Sequence, residues 1–283
     1  MRYSVIIPTY NRPEALKRCL QGFLNLDYVD WELIVVNDGG QEPLIIEQLP
    51  IQVINTPHAG PAAARNAGAA IAQGDYLAFT DDDCVPGVDW LHQFDMAFEK
   101  TGYEALGGGW INPHPENTAA EAAQIYMEFL RGYFRDTQGN ILLLPSNNVA
   151  YRRDIFESLG GFDESFPLAA AEDLDLSYRI VAAGYRQGYV PDAKIYHYHR
   201  NTYRGYLKQQ WRYGRGAFYF NRKPQPIIHH IQRNKGEFHM RLARYLWQEH
   251  VSPSIWILLG LTPIAHGLGK RYERLSHQRL SVS

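Results

Sequence analysis

The chain has 283 residues, of which 28 are lysine or arginine and 30 are aspartate or glutamate, giving a net charge of −2 at neutral pH. This near-neutral balance does not favour a nucleic-acid partner, and a hydrophobic content of 45% excludes a disordered polar chain. The two cysteines, Cys19 and Cys84, provide neither a disulfide framework nor a metal-ligand spacing, which favours a reducing compartment. We therefore expect a globular protein of the cytoplasm.

The first 80 residues alternate between short apolar segments and helical patterns. Four segments rich in valine and isoleucine are bounded by turn residues and predict strands: 3–8, 31–38, 51–55 and 75–79. The first of them is too short an apolar run for a secretory signal. Apolar residues at helical spacing follow Pro13, and an alanine-rich stretch over 60–74 ends at Gly74, which predicts two helices between the strands. This alternation predicts an α/β fold with a parallel sheet and helices on its faces.

Polar clusters follow three of these predicted strands, at residues 8–11, 37–39 and 81–83. Such residues are common in ordinary turns. In open α/β sheets, however, ligands bind at the carboxyl ends of the strands, where all three clusters would meet. The third cluster is a run of three aspartates, and carboxylates suit a hard divalent cation that bridges to phosphate. The glycine-rich phosphate motifs of ATPases and dehydrogenases are absent from the sequence, so neither activity is favoured.

Five sequence blocks occur in a fixed order: "SVIIPTYNRPEALKRCL", "ELIVVNDG", "ARNAGAAIAQGDYLAFTDDDC", "GGFDESF" and "AEDLDLSYRIVAAGY". Together they resemble the family 2 inverting glycosyltransferases of GT-A fold, from about Tyr3 to about Arg200. The resemblance implies a Rossmann-like, mostly parallel sheet with flanking helices over 1–200, binding the nucleotide sugar and holding the catalytic groups. It leaves 201–283 as a helical C-terminal region that could face the acceptor or a membrane.

The resemblance also implies a reaction. A sugar would pass, with metal assistance, from a nucleoside-diphosphate sugar to a hydroxyl of a saccharide or a lipid-linked acceptor. Such a step would serve the synthesis of a cell-wall or extracellular polysaccharide, a glycolipid or another glycoconjugate. The nucleotide, the sugar and the acceptor are not identified by residue types alone.

Donor-site residues can be placed by the same resemblance. It implies a cradle for the nucleotide base at Pro8, Thr9, Tyr10 and Asp38. Arg65 is expected to contact the nucleotide, and the alternative is a surface arginine on an alanine-rich helix. The family's D-x-D motif falls on Asp81 and Asp83, so that Asp81 would approach the ribose and Asp83 would hold Mn²⁺ or Mg²⁺. Asp82 is expected to point away into solvent, because alternate side chains of an extended segment face opposite ways.

The resemblance places the catalytic base in the Glu-Asp motif near the start of a predicted helix. Asp173 is the expected base, which takes the proton of the acceptor hydroxyl, and Glu172 is its catalytic neighbour. Asp175 is read as a carboxylate favoured by the helix dipole alone. Many relatives have glycine where this chain has Ala171. This difference bears on the backbone conformation just before the motif and not on the assignment of the base.

A second ligand for the cation is expected after this motif. Related enzymes use a histidine there, and imidazole is an acceptable ligand for Mn²⁺. His197 is preferred because Arg200 follows three residues later, as in some relatives, and His199 is the alternate. Asn147 and Asn148 are candidates either for the donor-sugar pocket or for satisfied turn amides.

The C-terminal third departs from the α/β pattern. Four basic residues recur at every fourth position and predict one helical face: Arg200, Arg204, Lys208 and Arg212. The face could be simply solvated, or it could bind anionic lipid headgroups or a lipid-diphosphate acceptor, whereas no recognised module supports nucleic-acid binding. The segment 251–269 carries no formal charge at neutral pH. Because it contains two prolines and a histidine, an interfacial or core-packed helix is favoured over a membrane span. An interfacial helix would bring peripheral contact with the inner face of the membrane, and a core-packed helix would not.

Two functions of different classes remain compatible with the sequence. The first is the enzyme described above, and the second is a catalytically silent sugar-nucleotide-binding or scaffold protein of the same fold. The presence of Asp81, Asp83, Asp173 and His197 favours the enzyme, because a silent protein needs neither metal ligands nor a base. A nucleotidyltransferase is disfavoured by the missing glycine-rich loop after the first strand.

Overall fold

A computed structural model describes residues 1–41, 48–135, 140–198, 202–223 and 235–280. The sheet in these residues has eight strands: β1 (Tyr3–Thr9), β2 (Trp31–Asp38), β3 (Ile51–Thr56), β4 (Tyr76–Thr80), β5 (Cys84–Pro86), β6 (Ala105–Ile111), β7 (Asn148–Arg152) and β8 (Gln187–His197). Their order across the sheet is β3-β2-β1-β4-β7-β6-β8-β5. The four predicted strands are confirmed with bounds that differ by one residue at most.

The sheet is mixed, with four parallel and three antiparallel pairings. Strands β3, β2, β1 and β4 run parallel, whereas β7 is antiparallel to both β4 and β6. Strand β8 is parallel to β6 and antiparallel to the short β5. The predicted α/β architecture with flanking helices is therefore confirmed. Because the carboxyl end of β4 meets the start of β7, chain segments far apart in sequence converge at one edge.

Helices cover both faces of the sheet. On one face lie α1 (Pro13–Phe23) and α3 (Trp90–Thr101), and on the other lie α2 (Pro61–Ile71) and α6 (Glu172–Ala182). Alternate residues of β1 serve the two cores, with Val5 and Ile7 on one side and Ile6 on the other. The small residues of α2 allow a close approach, because a Cβ on Gly68 would lie 2.5 Å from Ile6 Cγ2. The alanine-rich sequence thus allows α2 to pack closely against the central strands.

The remaining helices are α4 (Thr118–Tyr133), α5 (Arg153–Ser158), α7 (Tyr203–Phe220), α8 (Lys235–Gln248) and α9 (Pro253–Leu280). Apolar side chains of α4, α7, α8 and α9 form a separate core that includes Phe129, Tyr206, Leu242 and Leu259. The helical C-terminal region is therefore confirmed. The predicted domain boundary between residues 200 and 201 falls outside the described residues, so the division into two domains stays a prediction.

Helix α9 crosses α7 at unusually short range. A Cβ on Gly214 of α7 would lie 1.9 Å from the His266 carbonyl oxygen, and a Cβ on Gly269 of α9 would lie 2.0 Å from the Trp211 carbonyl oxygen. Only glycine allows two helix backbones to approach this closely. The first part of α9 is formed by residues 253–269, which are all but the first two positions of the uncharged segment. Within the described ranges no helix has the length and hydropathy needed to cross a bilayer.

Candidate active site

The three aspartates lie in a tight turn between β4 and β5. The Cys84 amide donates to the Asp81 carbonyl at 3.0 Å, so this stretch is not extended and its side chains do not alternate. Asp82 is only 3% exposed, and it accepts hydrogen bonds from the Thr9 hydroxyl at 2.8 Å and from Arg12 at 2.6 Å. The prediction that Asp82 is solvated was therefore wrong. Its burial raises the pKa of Asp82 to about 7, against the opposing charge of Arg12.

Arg12 supplies a positive charge to this turn. Its two terminal nitrogens donate to different carboxylates, to Asp82 and, at 2.8 Å, to Asp83. Burial opposes the ionisation of Asp83, but the hydrogen bond from His197 and the Arg12 guanidinium outweigh it and hold the pKa of Asp83 below its usual range. Asp83 is consequently a carboxylate anion at neutral pH. Arg12 follows the first polar cluster directly, and the need of three adjacent carboxylates for a countercharge is the signal that could have identified it.

Arg65 links the aspartate turn to the Glu-Asp motif. It donates through one nitrogen to Asp81 at 2.7 Å and through another to Glu172 at 3.1 Å. The residue is only 2% exposed, so the alternative of a surface arginine was wrong. Its Nε and the Glu172 Oε2 atom are both buried without a hydrogen-bond partner. Arg65 thereby connects the predicted ribose-binding carboxylate with the predicted catalytic motif.

The Glu-Asp motif begins α6, as predicted. Ala171 immediately before it has φ +75° and ψ 1°, in the left-handed region that favours glycine. This conformation explains physically why glycine suits the position. Consecutive residues of a helix point in different directions, and here Glu172 is buried against Arg65 while Asp173 is partly exposed.

Backbone amides hold the Asp173 carboxylate in place. The Leu174 amide donates to one oxygen at 2.7 Å and the Ser146 amide to the other at 3.3 Å. Desolvation raises the pKa of Asp173 in spite of these bonds, and burial together with the adjacent Asp173 charge raises the pKa of Glu172 to about 7. A fixed, partly exposed carboxylate of raised basicity is suited to accept a proton.

His197 lies beside Asp83 at the end of β8. Its Nε2 is 3.5 Å from Asp83 Oδ1, and its Nδ1 is 3.2 Å from the Asn147 side-chain nitrogen. The potential ligand atoms of Asp83, Cys84 and His197 all lie within 4.8 Å of one another. Cys84 is fully buried and its pKa is raised well above the usual value by that burial, so it remains a thiol that suits a hard cation poorly. Asp83 and His197 are thus the pair that fits Mn²⁺ or Mg²⁺, whereas His199 lies outside the described residues.

The predicted base cradle lies at the ends of β1 and β2. The Tyr10 ring is exposed and stacks on His58 with ring centroids 4.2 Å apart. His58 in turn contacts Asp38 at 2.9 Å, and the Asp38 carboxylate accepts the Ala59 and Gly60 amides before α2. An exposed aromatic surface therefore stands beside a fixed carboxylate, while Thr9 is engaged with the aspartate turn.

Comparison with known proteins decides the family. Residues 4–160, more than half of the chain, match the domain described as "Glycosyl transferase family 2". The chain belongs to glycosyltransferase family 2. It is 30% identical over 236 residues to a pre-mycofactocin glycosyltransferase of Mycobacterium tuberculosis, an alignment that covers 76% of this chain and 46% of that protein. It thus spans about half the length of that relative.

Other family members and solved structures agree. Glycosyltransferase AglE of Haloferax volcanii is 29% identical over 224 residues, covering 75% of this chain and 72% of AglE. The mannosyltransferase PcManGT of Pyrobaculum calidifontis, solved with GDP-Man and Mn²⁺, superposes with a TM-score of 0.65 at 18% identity over 96% of this chain and 83% of its own. S. aureus TarS residues 1–349, solved with UDP-GlcNAc, gives a TM-score of 0.55 at 16% identity over 99% and 92%. These likenesses show the GT-A fold.

In this family 2 chain, two further polar residues have structural partners. The side chain of Asn148 is fully buried, donates to the Gly109 and Ala193 carbonyls and accepts from the Trp90 indole, so of its two alternatives it is a satisfied amide, in β7 rather than in a turn. Asp175 is 1% exposed and forms ion pairs with Arg179 and Lys223. The pair with Lys223 could not be predicted from sequence spacing, because the two residues are far apart in the chain.

One residue of α7 was missed altogether. Desolvation, together with the charges of Asp173, Glu172 and Asp81, raises the pKa of Tyr213 to about 12. The C-terminal region therefore contributes a neutral phenol to the neighbourhood of the candidate base. No periodicity in the sequence signals this, because Tyr213 reaches the site only through the packing of α7 on the loop before α6.

Proposed function

We propose that this family 2 protein is a metal-dependent, inverting glycosyltransferase that moves a sugar from a nucleoside-diphosphate sugar to a hydroxyl of a saccharide or lipid-linked acceptor. One observation carries the proposal. The D-x-D carboxylates, Arg65, His197 and the Glu-Asp motif, predicted from separate sequence blocks, form one connected cluster at a single sheet edge. The structures of PcManGT with GDP-Man and of TarS with UDP-GlcNAc support a nucleotide-sugar donor.

The donor would lie along this edge. Tyr10 and Asp38 would receive the base, Asp81 the ribose, and Arg65 would orient Asp81 through its 2.7 Å hydrogen bond. Asp83 and His197 would hold Mn²⁺ or Mg²⁺, which when bound offsets charge on the diphosphate. This assignment leaves the sugar facing the start of α6, where Asp173 is the exposed carboxylate.

Asp173 would act as the general base. Its carboxylate accepts the proton of the acceptor hydroxyl as the hydroxyl oxygen forms a bond to the anomeric carbon and the bond from that carbon to the diphosphate oxygen breaks. A single displacement of this kind inverts the anomeric configuration. Glu172 is buried against Arg65, so its part is to hold that arginine between the donor carboxylate and the motif.

The proposal also covers where in the cell the enzyme would act. Both cysteines are free and buried, which fits a reducing cytoplasm. Contact with the inner face of the membrane would bring lipid-linked acceptors within reach, and a role in cell-wall or extracellular polysaccharide synthesis would follow from such acceptors.

The test separates donor binding from chemistry. A panel of sugar nucleotides is screened for thermal stabilisation with and without Mn²⁺, because a ligand that binds only the folded state raises the melting temperature. With the donor identified, Asp173→Asn should still bind it but turn over about 10²- to 10⁴-fold more slowly. Asp154→Asn, which changes an exposed carboxylate that pairs with Arg152, is the matched control and should remain active.

Two outcomes would contradict the proposal. A product that retains the donor's anomeric configuration, read by NMR, is incompatible with a single displacement. If the parent protein binds a sugar nucleotide and yet transfers no sugar to any acceptor tested, the silent binding protein becomes the better account.

A further inference from the structure

Helix α9 has two apolar faces, and only one of them is packed. Its inner residues Ile255, Leu258 and Leu259 are buried in the core formed with α4, α7 and α8. On the opposite side, four large apolar residues are between 40% and 68% exposed, and we call this set the outer face: Ile257, Leu261, Ile264 and Leu268. Their spacing of four, three and four residues aligns them along one side of the helix.

The outer face is apolar without interruption. Between residues 257 and 268 the other exposed positions are Gly260, Pro263 and Gly267, so nothing polar reaches solvent as an exposed side chain there. At 1.5 Å per residue the stretch is roughly 17 Å long. Isolated exposed apolar residues are ordinary on protein surfaces, but a continuous row of this length is typical of an interaction site.

Cations border this row at its C-terminal end. Arg271 follows Leu268 by three residues and lies on the same side, whereas Arg274, six residues beyond Leu268, lies on the neighbouring side of the helix. Both are exposed, and neither pairs with an acid within the part of the chain that the structure describes. Near the end of α8, which precedes α9 in the chain, Arg244 and Trp247 are exposed, the latter to 77%. Apolar residues bordered by arginine and tryptophan are typical of helices that lie in a lipid interface.

A protein partner would need other chemistry. Protein interfaces have a polar rim, and paired helices use flanking charges to select their partner and register. Among the side chains of α9 that the structure describes, the exposed charges are Arg271 and Arg274, and no exposed acid accompanies them to serve either purpose. Anionic phosphates, by contrast, complement the unpaired arginines, and acyl chains complement the apolar row. We propose that the outer face of α9 docks on the surface of an anionic lipid bilayer, with the helix lying along that surface.

Docking would fix the position of the candidate active site relative to the bilayer surface. The glycine crossing of α9 with α7 fixes the two helices to each other, and a Cβ on Gly216 of α7 would lie 2.2 Å from the Ala170 carbonyl oxygen, just before the Glu-Asp motif. The outer face and the candidate base are therefore joined by backbone contacts. Resting on the proposed function, this arrangement favours the lipid-linked class of acceptor, presented at the bilayer surface.

Vesicle flotation tests the docking with the full chain. Wild-type protein should bind vesicles of phosphatidylcholine with phosphatidylglycerol, and high salt should weaken the binding. Ile264→Glu should lower vesicle affinity about tenfold or more, because it removes an apolar side chain from the lipid and adds a charge. Val29→Glu, at a 98% exposed site outside α9, is the matched control and should bind like wild type. Leu268→Glu provides a second variant with the same expectation.

Arginine variants and lipid composition test the charge contribution. Each of Arg271→Gln and Arg274→Gln should weaken binding to the anionic vesicles by about fivefold. Absence of wild-type binding at low salt, or equal binding by wild type and both glutamate variants, would overturn the proposal. So would a wild-type dimer, seen by light scattering without lipid, that Ile264→Glu converts to a monomer, since the face would then belong to a second copy of the chain.

The inactive variant Asp173→Asn keeps the two proposals apart. It should float with anionic vesicles like wild type, because the outer face of α9 is unchanged. Vesicle binding by wild-type protein that transfers no sugar to any acceptor would contradict the proposed function and leave the docking surface intact. Transferase activity without vesicle binding would do the reverse.

Discussion

Two glycines of α9, only two residues apart, should respond oppositely to replacement by alanine. Alanine stabilises a helix interior by about 1 kcal/mol relative to glycine. At Gly267 a Cβ would meet nothing within 4 Å, so Gly267→Ala should keep most of this gain. At Gly269 the Cβ would lie 2.0 Å from the Trp211 carbonyl oxygen, whereas ordinary van der Waals contact begins at 3.4 Å. The two helix backbones would have to separate by roughly 1.4 Å, the difference of those distances, to accept it.

The magnitude follows from these two terms. Overpacking costs about 1–3 kcal/mol, and because here it acts on backbone rather than on a movable side chain, the upper part of that range, about 2–3 kcal/mol, applies. After the helix gain is subtracted, Gly269→Ala should lower the free energy of unfolding while Gly267→Ala raises it, a difference of about 2–3 kcal/mol. For a chain of this size that difference corresponds to roughly 4–12 °C in melting temperature.

Thermal and urea unfolding, followed by circular dichroism without lipid, measure both variants against wild type. Equal stabilisation by the two alanines would refute the close crossing of α7 and α9. A loss of stability in Gly267→Ala comparable to that in Gly269→Ala would refute the reasoning as well, because it would mean that glycine is required on the exposed side too.

Three further predictions concern the candidate site. Asp83→Asn should abolish Mn²⁺-dependent nucleotide binding in calorimetry, whereas Asp82→Asn should keep it but melt earlier, because Asp82 anchors Thr9 and Arg12; equal loss of binding would assign the wrong carboxylate. Asn147→Ala should weaken Mn²⁺ binding about 10- to 100-fold, as expected for the partner of a metal-bound imidazole, with metal-free nucleotide affinity as the control that must not change. Because the pKa of Glu172 rises from 4.5 to about 7 on folding, the native state binds the extra proton and the free energy of unfolding should fall as pH rises through this window, by up to about 1.4 kcal/mol per unit; Glu172→Gln should flatten that slope in urea titrations, and an unchanged slope would place the proton elsewhere.

The sequence was sufficient for the N-terminal half of the sheet. Buried parallel strands are continuous runs of valine and isoleucine between turn residues, so β1 to β4 are visible without any knowledge of their neighbours. The antiparallel insertion of β7 between β4 and β6 was not visible. Its position depends on pairing across about 70 residues, such as Thr80 opposite Asn148, and no local pattern encodes that distance.

The sequence predicted which residue types form the candidate site, but it predicted less well which way their side chains point. Asp82 was misjudged because an alternation rule for extended chain was applied to a turn, which the hydrogen bond between Cys84 and Asp81 closes. Arg65 was expected on the helix, but its two carboxylate partners come from the turn after β4 and from α6. Partners of buried charges are set by tertiary packing, so they become known only when the elements are assembled.

The aspartate turn has a further consequence for how a cation would behave in this protein. Its three carboxylates already face the guanidinium groups of Arg12 and Arg65, so their mutual repulsion is largely offset by the chain itself. A divalent ion would therefore bind reversibly without being required for the stability of the fold. Chelators should leave the melting temperature nearly unchanged while stopping turnover. The catalytic rate in the cell would then depend on the free concentration of the ion.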